Sequence, residues 1–395
     1  MIQPTGAFHR DRATWAAYVL LTLLMLQISL IGPVLPFLRA EMGLSYTQGA
    51  LHTSAFALGM MAAGFLCGPL ERRIGRKAAM VVAALGSAIG FSIIVVARTP
   101  VLTIVAAGGM GLVGAMNVVF VPLVLLGRHG RESGRAIAEA NLMSYLGALI
   151  APVAVWLFTD TIGWRAVAGL GWAMMLIAVA TLRGARLPSD QQLPGHTDSP
   201  LGRAYWIYWF LLTLSVGAEF CFGVWSASFL EKVSGLAREH AVIGSSLFAF
   251  GVLSGRVLGM FGIRRLGAWR LALVSLFIAL GGFFVFWLSR VAGLTLFGLA
   301  LSGLGIANLY AASLTLALAA EPGNASRAAA RSSMASGLAI ILTPLILGAL
   351  ADSVGLFAGY AIVPVLVLAG LASLGLGARA SRRQEAAAAR LVAAG

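Results

Sequence analysis

The stretch "GPLERRIGRK", residues 68–77, places four basic side chains and one acid between two long apolar runs, near 49–70 and 78–97. Part of it returns later in the chain, where "RRIG" at 72–75 recurs as "RRLG" at 264–267, 192 residues further on. A short basic turn between apolar runs is typical of a loop that joins two membrane spans. Its return at a long spacing indicates that the chain is built from a duplicated unit.

Other landmarks keep the same spacing of 192 residues, and they include polar, glycine and proline positions that chance apolar similarity would not align. Six spans in each half return the chain to the same side of the membrane, so the two repeats are parallel. The matching stretches are "FL" (37–38 and 229–230), "FALG" and "FAFG" (56–59 and 248–251), "RAIA" and "RAAA" (135–138 and 327–330), and Pro152, Asp160 and Gly163 with Pro344, Asp352 and Gly355; "GAMN" (114–117) matches "GIAN" (305–308) at a spacing of 191.

The composition requires a lipid environment, since 59% of the 395 residues are hydrophobic and only 11% are charged. Runs of about 20 apolar residues cross the hydrocarbon core as helices, which satisfy their own backbone groups. We predict an all-α polytopic membrane protein with twelve transmembrane helices in two parallel six-helix repeats. The runs lie near 15–37, 49–70, 78–97, 101–126, 136–158, 165–182, 204–230, 242–263, 271–289, 293–318, 329–351 and 357–377.

The domain boundaries follow from the repeat. We predict an N-terminal six-helix bundle at 1–182, a cytoplasmic linker at 183–203, a C-terminal six-helix bundle at 204–378 and a cytoplasmic tail at 379–395. The linker is the one long stretch rich in Pro, Gly, Asp and Ser, a composition typical of a polar tether.

The net charge of +14 is an orientation signal rather than a sign of nucleic-acid binding. If both termini are cytoplasmic, 21 of the 28 Lys and Arg residues fall in cytoplasmic segments. This positive-inside bias predicts a multi-pass protein of the cell inner (plasma) membrane with both termini in the cytoplasm.

The loop at 68–77 and the 6+6 repeat together resemble the major facilitator superfamily. The loop motif of that family is Gly-x-Leu-Ala-Asp-Arg-x-Gly-Arg-Arg/Lys, and its Asp is thought to help lock the cytoplasmic side. Here Arg72 occupies the Asp position, so either the neighbouring Glu71 replaces it or the lock is weaker. The matching positions are Gly68, Leu70, Arg73, Gly75, Arg76 and Lys77.

A second family feature is only partly present. Proton antiporters of the superfamily often end helix five in Gly-Pro-x-x-Gly-Gly, whereas "SYLGALIAPVAV" (144–155) keeps Gly147 and Pro152 without the following glycine pair. This departure weakens the case for drug/proton antiport.

Glu219 is the only acid deep inside a predicted span, and the repeat pairs it with Gln27. An ionised carboxylate at mid-membrane costs about 2.5–3.5 kcal/mol, so such residues usually serve function or pair with another group. The resemblance implies that helices one, four, seven and ten line a central cavity. We expect Glu219 to face that cavity and carry the coupling proton; the alternative is an ion pair that only fixes helix packing.

Arg256 is the only basic residue within a span, and three roles are open: an anchor for an anionic solute, a partner of Glu219, or a structural arginine near the basic loop. Asn117 and Asn308 occupy equivalent positions of helices four and ten and fit either solute binding or hydrogen bonding between helices. Further cavity candidates are Gln27, Asn141, Tyr145, Trp225 and Tyr310.

Other chemistries lack support in the sequence. It contains no phosphate-binding glycine loop, no nucleophile elbow and no histidines at metal-ligand spacing, so we predict no enzyme, no metal and no cofactor other than a proton gradient as energy source. We expect an alternating-access secondary transporter, with export of lipophilic or cationic compounds favoured narrowly over proton symport of a small organic anion such as a monocarboxylate. A non-transporting receptor on the same fold is a remote alternative. The expected partners are a small-molecule substrate and the lipid bilayer, and a monomer suffices.

Overall fold

The computed structural model describes residues 8–185, 187, 201–321 and 325–394. Most of the predicted linker at 183–203 therefore lies outside the described residues. Residues 379–394 of the predicted tail continue the helix Ile362–Ala394, which extends beyond the last membrane span.

All regular structure in these ranges is helical, and the described residues contain no strand. Twelve helices are long and apolar enough to cross a membrane, which confirms the predicted all-α fold with twelve spans. We number them in chain order: α1 Arg12–Met42, α2 Tyr46–Ile74, α3 Arg76–Val96, α4 Pro100–His129, α5 Ser133–Thr161, α6 Trp164–Arg183, α7 Arg203–Lys232, α8 Arg238–Ile263, α9 Arg265–Leu288, α10 Ala292–Ala319, α11 Arg331–Val354 and α12 Leu356–Gln384.

The duplication is visible in the backbone as well as in the sequence. Among the described residues, six of the seven glycines with positive φ form three pairs, each separated by 192 residues. Positive φ is readily adopted only by glycine, so these turns need it. The pairs are Gly43 and Gly235 (φ 63° and 72°), Gly75 and Gly267 (80° and 72°), and Gly163 and Gly355 (92° and 85°).

Two helices are broken at equivalent positions. The first break, at Ala115, divides α4 into Pro100–Gly114 and Met116–His129. The second lies between Ala292–Ile306 and Leu309–Ala319 of α10. Each break lies beside one of the two paired asparagines, Asn117 and Asn308.

Contacts along the chain define two compact units. Unit 1 comprises Met1–Leu193 and Val224–Ser246, and unit 2 comprises Pro194–Gly223 and Leu247–Gly395. Helix α7 therefore contributes its first two-thirds to unit 2 and its last turns to unit 1. Alanines such as Ala16, Ala84 and Ala140 form much of the unit 1 core, which lets its helix backbones approach closely.

We call the helix ends that carry the turn at 68–77 the basic end, and the helix ends on the other side of the bundle the opposite end.

Candidate functional site

Helix α7 is held in unit 2 by contacts with three other helices. The hydroxyl of Thr343 on α11 donates to the Gly217 carbonyl at 3.1 Å. The phenol of Tyr360 on α12 donates to the Cys221 carbonyl at 3.3 Å. The rings of Phe222 and Phe248 (α8) stack with centroids 5.1 Å apart.

Glu219 lies on the face of α7 that these contacts leave open. It is half-buried, and Gly223, one turn further along the same face, is exposed. The side chain predicted to carry the proton is therefore accessible from a partly open surface of unit 2, although it lies in the middle of a membrane-spanning helix.

Arg256 lies two turns beyond Phe248 on the same face of α8, the face that packs against α7. Its side chain is half-buried. Tyr310 of α10 interacts electrostatically with both Arg256 and Glu219, and its phenol lies beside the hydroxyl of Ser336 on α11. Four helices thus bring a carboxylate, a guanidinium, a phenol and a hydroxyl together; we call Glu219, Arg256, Tyr310 and Ser336 the unit 2 polar cluster.

The sequence analysis named three members of this cluster separately and missed Ser336. A serine in an apolar helix is too common to single out. Ser336 lies beside Tyr310 only because α11 packs against α10, and the sequence does not reveal that contact.

The paired asparagines connect neighbouring helices within each unit. Nδ2 of Asn308 donates to the Gly255 carbonyl of α8 at 2.8 Å. Gly259 leaves the space for this side chain, because a Cβ there would lie 1.8 Å from Oδ1 of Asn308. Asn117 is buried, and its Nδ2 lies 3.5 Å from the Met80 carbonyl of α3. Solute binding by either asparagine stays a prediction.

The remaining cavity candidates lie in unit 1. Gln27 is fully buried beside Gly171 of α6, and its amide atoms form no hydrogen bond to the described residues. Trp225 is fully buried and packs edge-on against Tyr46, while Tyr145 is buried in α5. Asn141 is exposed and donates to the Ile137 carbonyl at 2.9 Å. The predicted cavity roles of these four residues stay predictions.

The turn at 68–77 contains a short ion pair. Nε of Arg76 donates to Oε1 of Glu71 at 2.6 Å, across the turn made by Gly75. Arg72 and Arg73 are exposed, and a Cβ on Gly68 would meet Nη1 of Arg72 at 3.4 Å. Leu70 packs against the core of unit 1.

Lys77 fastens this turn to the end of another helix. Its Nζ donates to the carbonyl of Arg183, the last residue of α6, at 2.9 Å and to that of Ala185 at 3.2 Å. A lysine is well suited to the unsatisfied carbonyls at a helix C-terminus.

A second polar cluster, at the basic end of unit 1, was not predicted. Glu139 of α5 accepts hydrogen bonds from Nε and Nη2 of Arg10, both at 2.8 Å, and further ones from Tyr18 and Arg135. The guanidinium of Arg135 also lies over the ring of Phe8, 4.6 Å from its centroid. The partner residues lie up to 129 positions from Glu139, so no local pattern points to them.

Asp11 starts α1. Its carboxylate accepts from the backbone N of Thr14 at 3.0 Å and pairs with Arg128 at 2.5 Å. Burial acts to raise the pKa of Asp11, but the hydrogen bonds from Thr14 and the charge of Arg128 outweigh it and hold that pKa below its ordinary value.

The fold and the intramembrane ionisable groups are those of a secondary transporter rather than of an enzyme. The family model of the Major Facilitator Superfamily matches residues 17–319, and the chain belongs to this superfamily of transporters. The family resemblance seen in the sequence is thereby confirmed.

Similar sequences are transporters of several kinds. The major facilitator superfamily multidrug transporter FLU1 of Candida albicans is 31% identical over 126 residues, which cover 31% of this chain and 20% of that protein. An uncharacterized MFS-type transporter of Yersinia pestis is 26% identical over 257 residues, 61% of this chain and 63% of that protein. The matches thus span less than two-thirds of these relatives' length.

Similar solved structures cover nearly the whole chain. A bacterial homolog of the human lysosomal transporter Spinster, in an inward-facing and occupied conformation, has a TM-score of 0.75 at 16% identity, with 95% of this chain and 98% of that chain covered. The nucleoside transporter NupG has a TM-score of 0.74 at 14% identity, with 93% and 99% covered. At these identities the likeness shows the fold alone.

Proposed function

We propose that the protein is a secondary active transporter that moves a small organic solute by alternating access and is driven by the proton gradient, with Glu219 as the proton carrier. The observation that carries this proposal is the half-buried carboxylate of Glu219 in the middle of α7, on the face that the contacts to α8, α11 and α12 leave open. Arg256 is half-buried on the neighbouring helix α8, so an acid and a base lie on packed helices of one unit, where charges interact more strongly than in water.

The chemistry of the cluster suggests how proton and solute are coupled. Protonation of Glu219 removes the negative charge that balances Arg256. The guanidinium then attracts an anion, which it can bind through two parallel hydrogen bonds. The phenol of Tyr310 and the hydroxyl of Ser336 offer further hydrogen bonds to the same solute. Loss of the proton restores the negative charge and expels the anion.

This arrangement favours proton symport of a small organic anion, such as a monocarboxylate. A cationic solute would meet the positive charge of Arg256 together with the acid, and burying like charges together is unfavourable. The sequence analysis favoured export of lipophilic or cationic compounds because it treated Glu219 as a solitary acid. Because a half-buried guanidinium lies on the helix beside this acid, we propose anion symport in preference to export.

Export remains the second candidate function, and one observation supports it: part of the chain is 31% identical to a multidrug transporter. That match covers 31% of the chain, so it bears on the substrate only weakly.

We further place the protein in the cell inner membrane as a monomer, with the basic end and both termini in the cytoplasm. The asymmetric distribution of Lys and Arg supports this orientation.

Purified protein in proteoliposomes tests the proposal. We expect an inward proton gradient to drive uptake of a monocarboxylate, and Glu219→Gln to abolish the dependence on that gradient. Glu239→Gln is the matched control, because this acid lies in the first turn of α8, outside the cluster. Gradient-driven uptake with unchanged pH dependence in Glu219→Gln would overturn the proton role of Glu219.

Thermal stabilisation by ligands separates the two substrate classes, since a ligand that binds the folded state raises the melting temperature. Stabilisation by monocarboxylates that disappears in Arg256→Gln and persists in Arg270→Gln supports anion symport. Stabilisation by lipophilic cations that disappears in Glu219→Gln and persists in Arg256→Gln supports export instead.

A further inference from the structure

The last turns of α7 pack on the first unit at the opposite end of the helices. Trp225 is fully buried there, and its ring lies edge-on to Tyr46 at the start of α2, with centroids 5.5 Å apart. Residues 224–246 accordingly belong to unit 1 by their contacts. A large aromatic side chain buried against another helix contributes substantially to holding the two helices together.

Gly49 of α2 provides the space for this ring. A Cβ at Gly49 would lie 3.2 Å from Cη2 of Trp225, 3.4 Å from Cδ2 of Leu35 and 3.5 Å from Cδ of Arg39. Three side chains from two other helices therefore converge on a position with no side chain of its own. A larger residue at position 49 would have to displace at least one of them.

The surroundings of Gly49 fix its position. The guanidinium of Arg39 lies over the ring of Tyr46, 3.4 Å from the centroid, which holds that ring against Trp225. His52, one turn after Gly49 and fully buried, links α2 to α4 through Nε2, which lies 2.9 Å from the hydroxyl of Thr103. The residues around Gly49 are thus tied to α1 and α4 by these side-chain contacts.

The sequence repeat gives this contact its significance. Trp225 belongs to the first helix of the second repeat, and Gly49 belongs to the second helix of the first repeat. In alternating access the two repeats move against each other, so contacts between them are made in one state and broken in the other. We infer that Trp225 seated on Gly49 is a seal that closes the opposite end of the transporter and must separate whenever that end opens.

A cysteine reporter measures the seal directly. Ser228 is buried one turn after Trp225, so Ser228→Cys, in a background with Cys67 and Cys221 replaced by alanine, reports on opening through its reaction with a maleimide. Purified protein in nanodiscs exposes both faces to the reagent. We expect Gly49→Leu to raise the labelling rate about tenfold, because overpacking disfavours the closed arrangement.

Two controls accompany this variant. Gly64→Leu makes the same change in the same helix, where a Cβ meets nothing within 4 Å, and should leave the labelling rate unchanged. Trp225→Ala should raise the rate, and the double variant Gly49→Leu/Trp225→Ala should label more slowly than either single variant, because the leucine fills the space left by the ring.

Equal labelling rates in Gly49→Leu and Gly64→Leu would overturn the seal, and so would a double variant that labels faster than both single variants. If Gly49→Leu does not fold, Gly49→Ala makes the smaller change and should still raise the rate above that of Gly64→Ala. These outcomes do not depend on the substrate, so the seal and the proposed proton symport succeed or fail separately.

Discussion

Nε of Arg76 donates to Oε1 of Glu71 across 2.6 Å, and this ion pair closes the turn between α2 and α3 from within. The family motif carries its acid one position later, where this chain has Arg72. The acid at position 71 therefore does not reach a distant helix in the described contacts; it binds the arginine that begins α3. The ion pair stabilises the turn itself, so its removal should lower the stability of unit 1.

Glu71→Gln should lower the stability of the protein by about 1–3 kcal/mol, because it removes the charged partner of a guanidinium that is largely buried. The side chain of Arg76 is 9% exposed, so water replaces the lost partner poorly. Chemical unfolding followed by tryptophan fluorescence measures the change. Arg73→Gln, at an exposed position of the same turn, should change stability by less than about 0.5 kcal/mol, and an equal loss in both variants would contradict this account.

Gly75→Ala and Gly267→Ala should each destabilise the protein by about 1–3 kcal/mol, because both positions have backbone angles that other residues rarely adopt (φ 80°, ψ 155° and φ 72°, ψ 166°). An alanine at either position causes no steric clash, because its Cβ would meet nothing within 4 Å. Melting temperatures of the two variants, compared with Gly64→Ala in the interior of α2, isolate the backbone effect. Similar losses at the two equivalent turns are expected; no loss at either would refute the strain argument.

Gly259→Ala should displace the side chain of Asn308 and break its 2.8 Å hydrogen bond to Gly255. The broken hydrogen bond and the overpacking of α8 against α10 should together lower the free energy of unfolding by about 1–3 kcal/mol. Gly281→Ala on α9, where a Cβ has open space, is the control. Asn308→Ala combined with Gly259→Ala should be no less stable than Asn308→Ala alone, which a thermal melt can establish; an additive loss would mean that the two residues do not interact.

Asp11 should make the stability of the protein depend on pH in the acid range. Its folded-state pKa is held below the ordinary value of 3.8, so its contribution is present above that value and is lost as the pH falls through the folded-state pKa. Because the carboxylate is partly exposed, we expect only about 0.2–1 kcal/mol.

Asp11→Asn keeps an acceptor for Thr14 but lacks the charge that pairs with Arg128. Wild type should therefore melt higher than this variant at pH 6, and the difference should shrink as the pH falls below 3.8 and through the lowered folded-state pKa of Asp11. A constant difference across this range would show that the carboxylate charge is not the cause.

The fold was predictable from the sequence because its determinants are local or periodic. Span length, the repeat of 192 residues and the glycines at the turns are all visible without knowledge of any contact. The candidate site was less predictable. The spacing that pairs Glu219 with Gln27 gives the position along a helix but does not say how the helix is rotated in its bundle.

The two helices that carry these residues are rotated differently within their bundles. Gln27 lies fully buried beside Gly171, while Glu219 lies half-buried on an open face of α7. The cluster around Glu139 was also beyond reach, because it joins residues from a polar N-terminal segment to α5 across more than a hundred positions. Residues that are brought into contact only by tertiary packing have no characteristic separation along the sequence, so a single sequence does not reveal them.

Residues 224–246 belong to the first unit, so proteolytic cleavage in the linker would not separate the two compact units cleanly. A nick within the linker would separate the two sequence repeats, yet the first fragment would lack the segment that covers Gly49, and the second would carry that segment with its aromatic ring exposed. The two fragments should therefore be insoluble or unstable when produced singly and should recover function when produced together. The first unit is therefore completed by a segment of the second repeat, and the exchange is not reciprocal, although the two repeats share one sequence pattern.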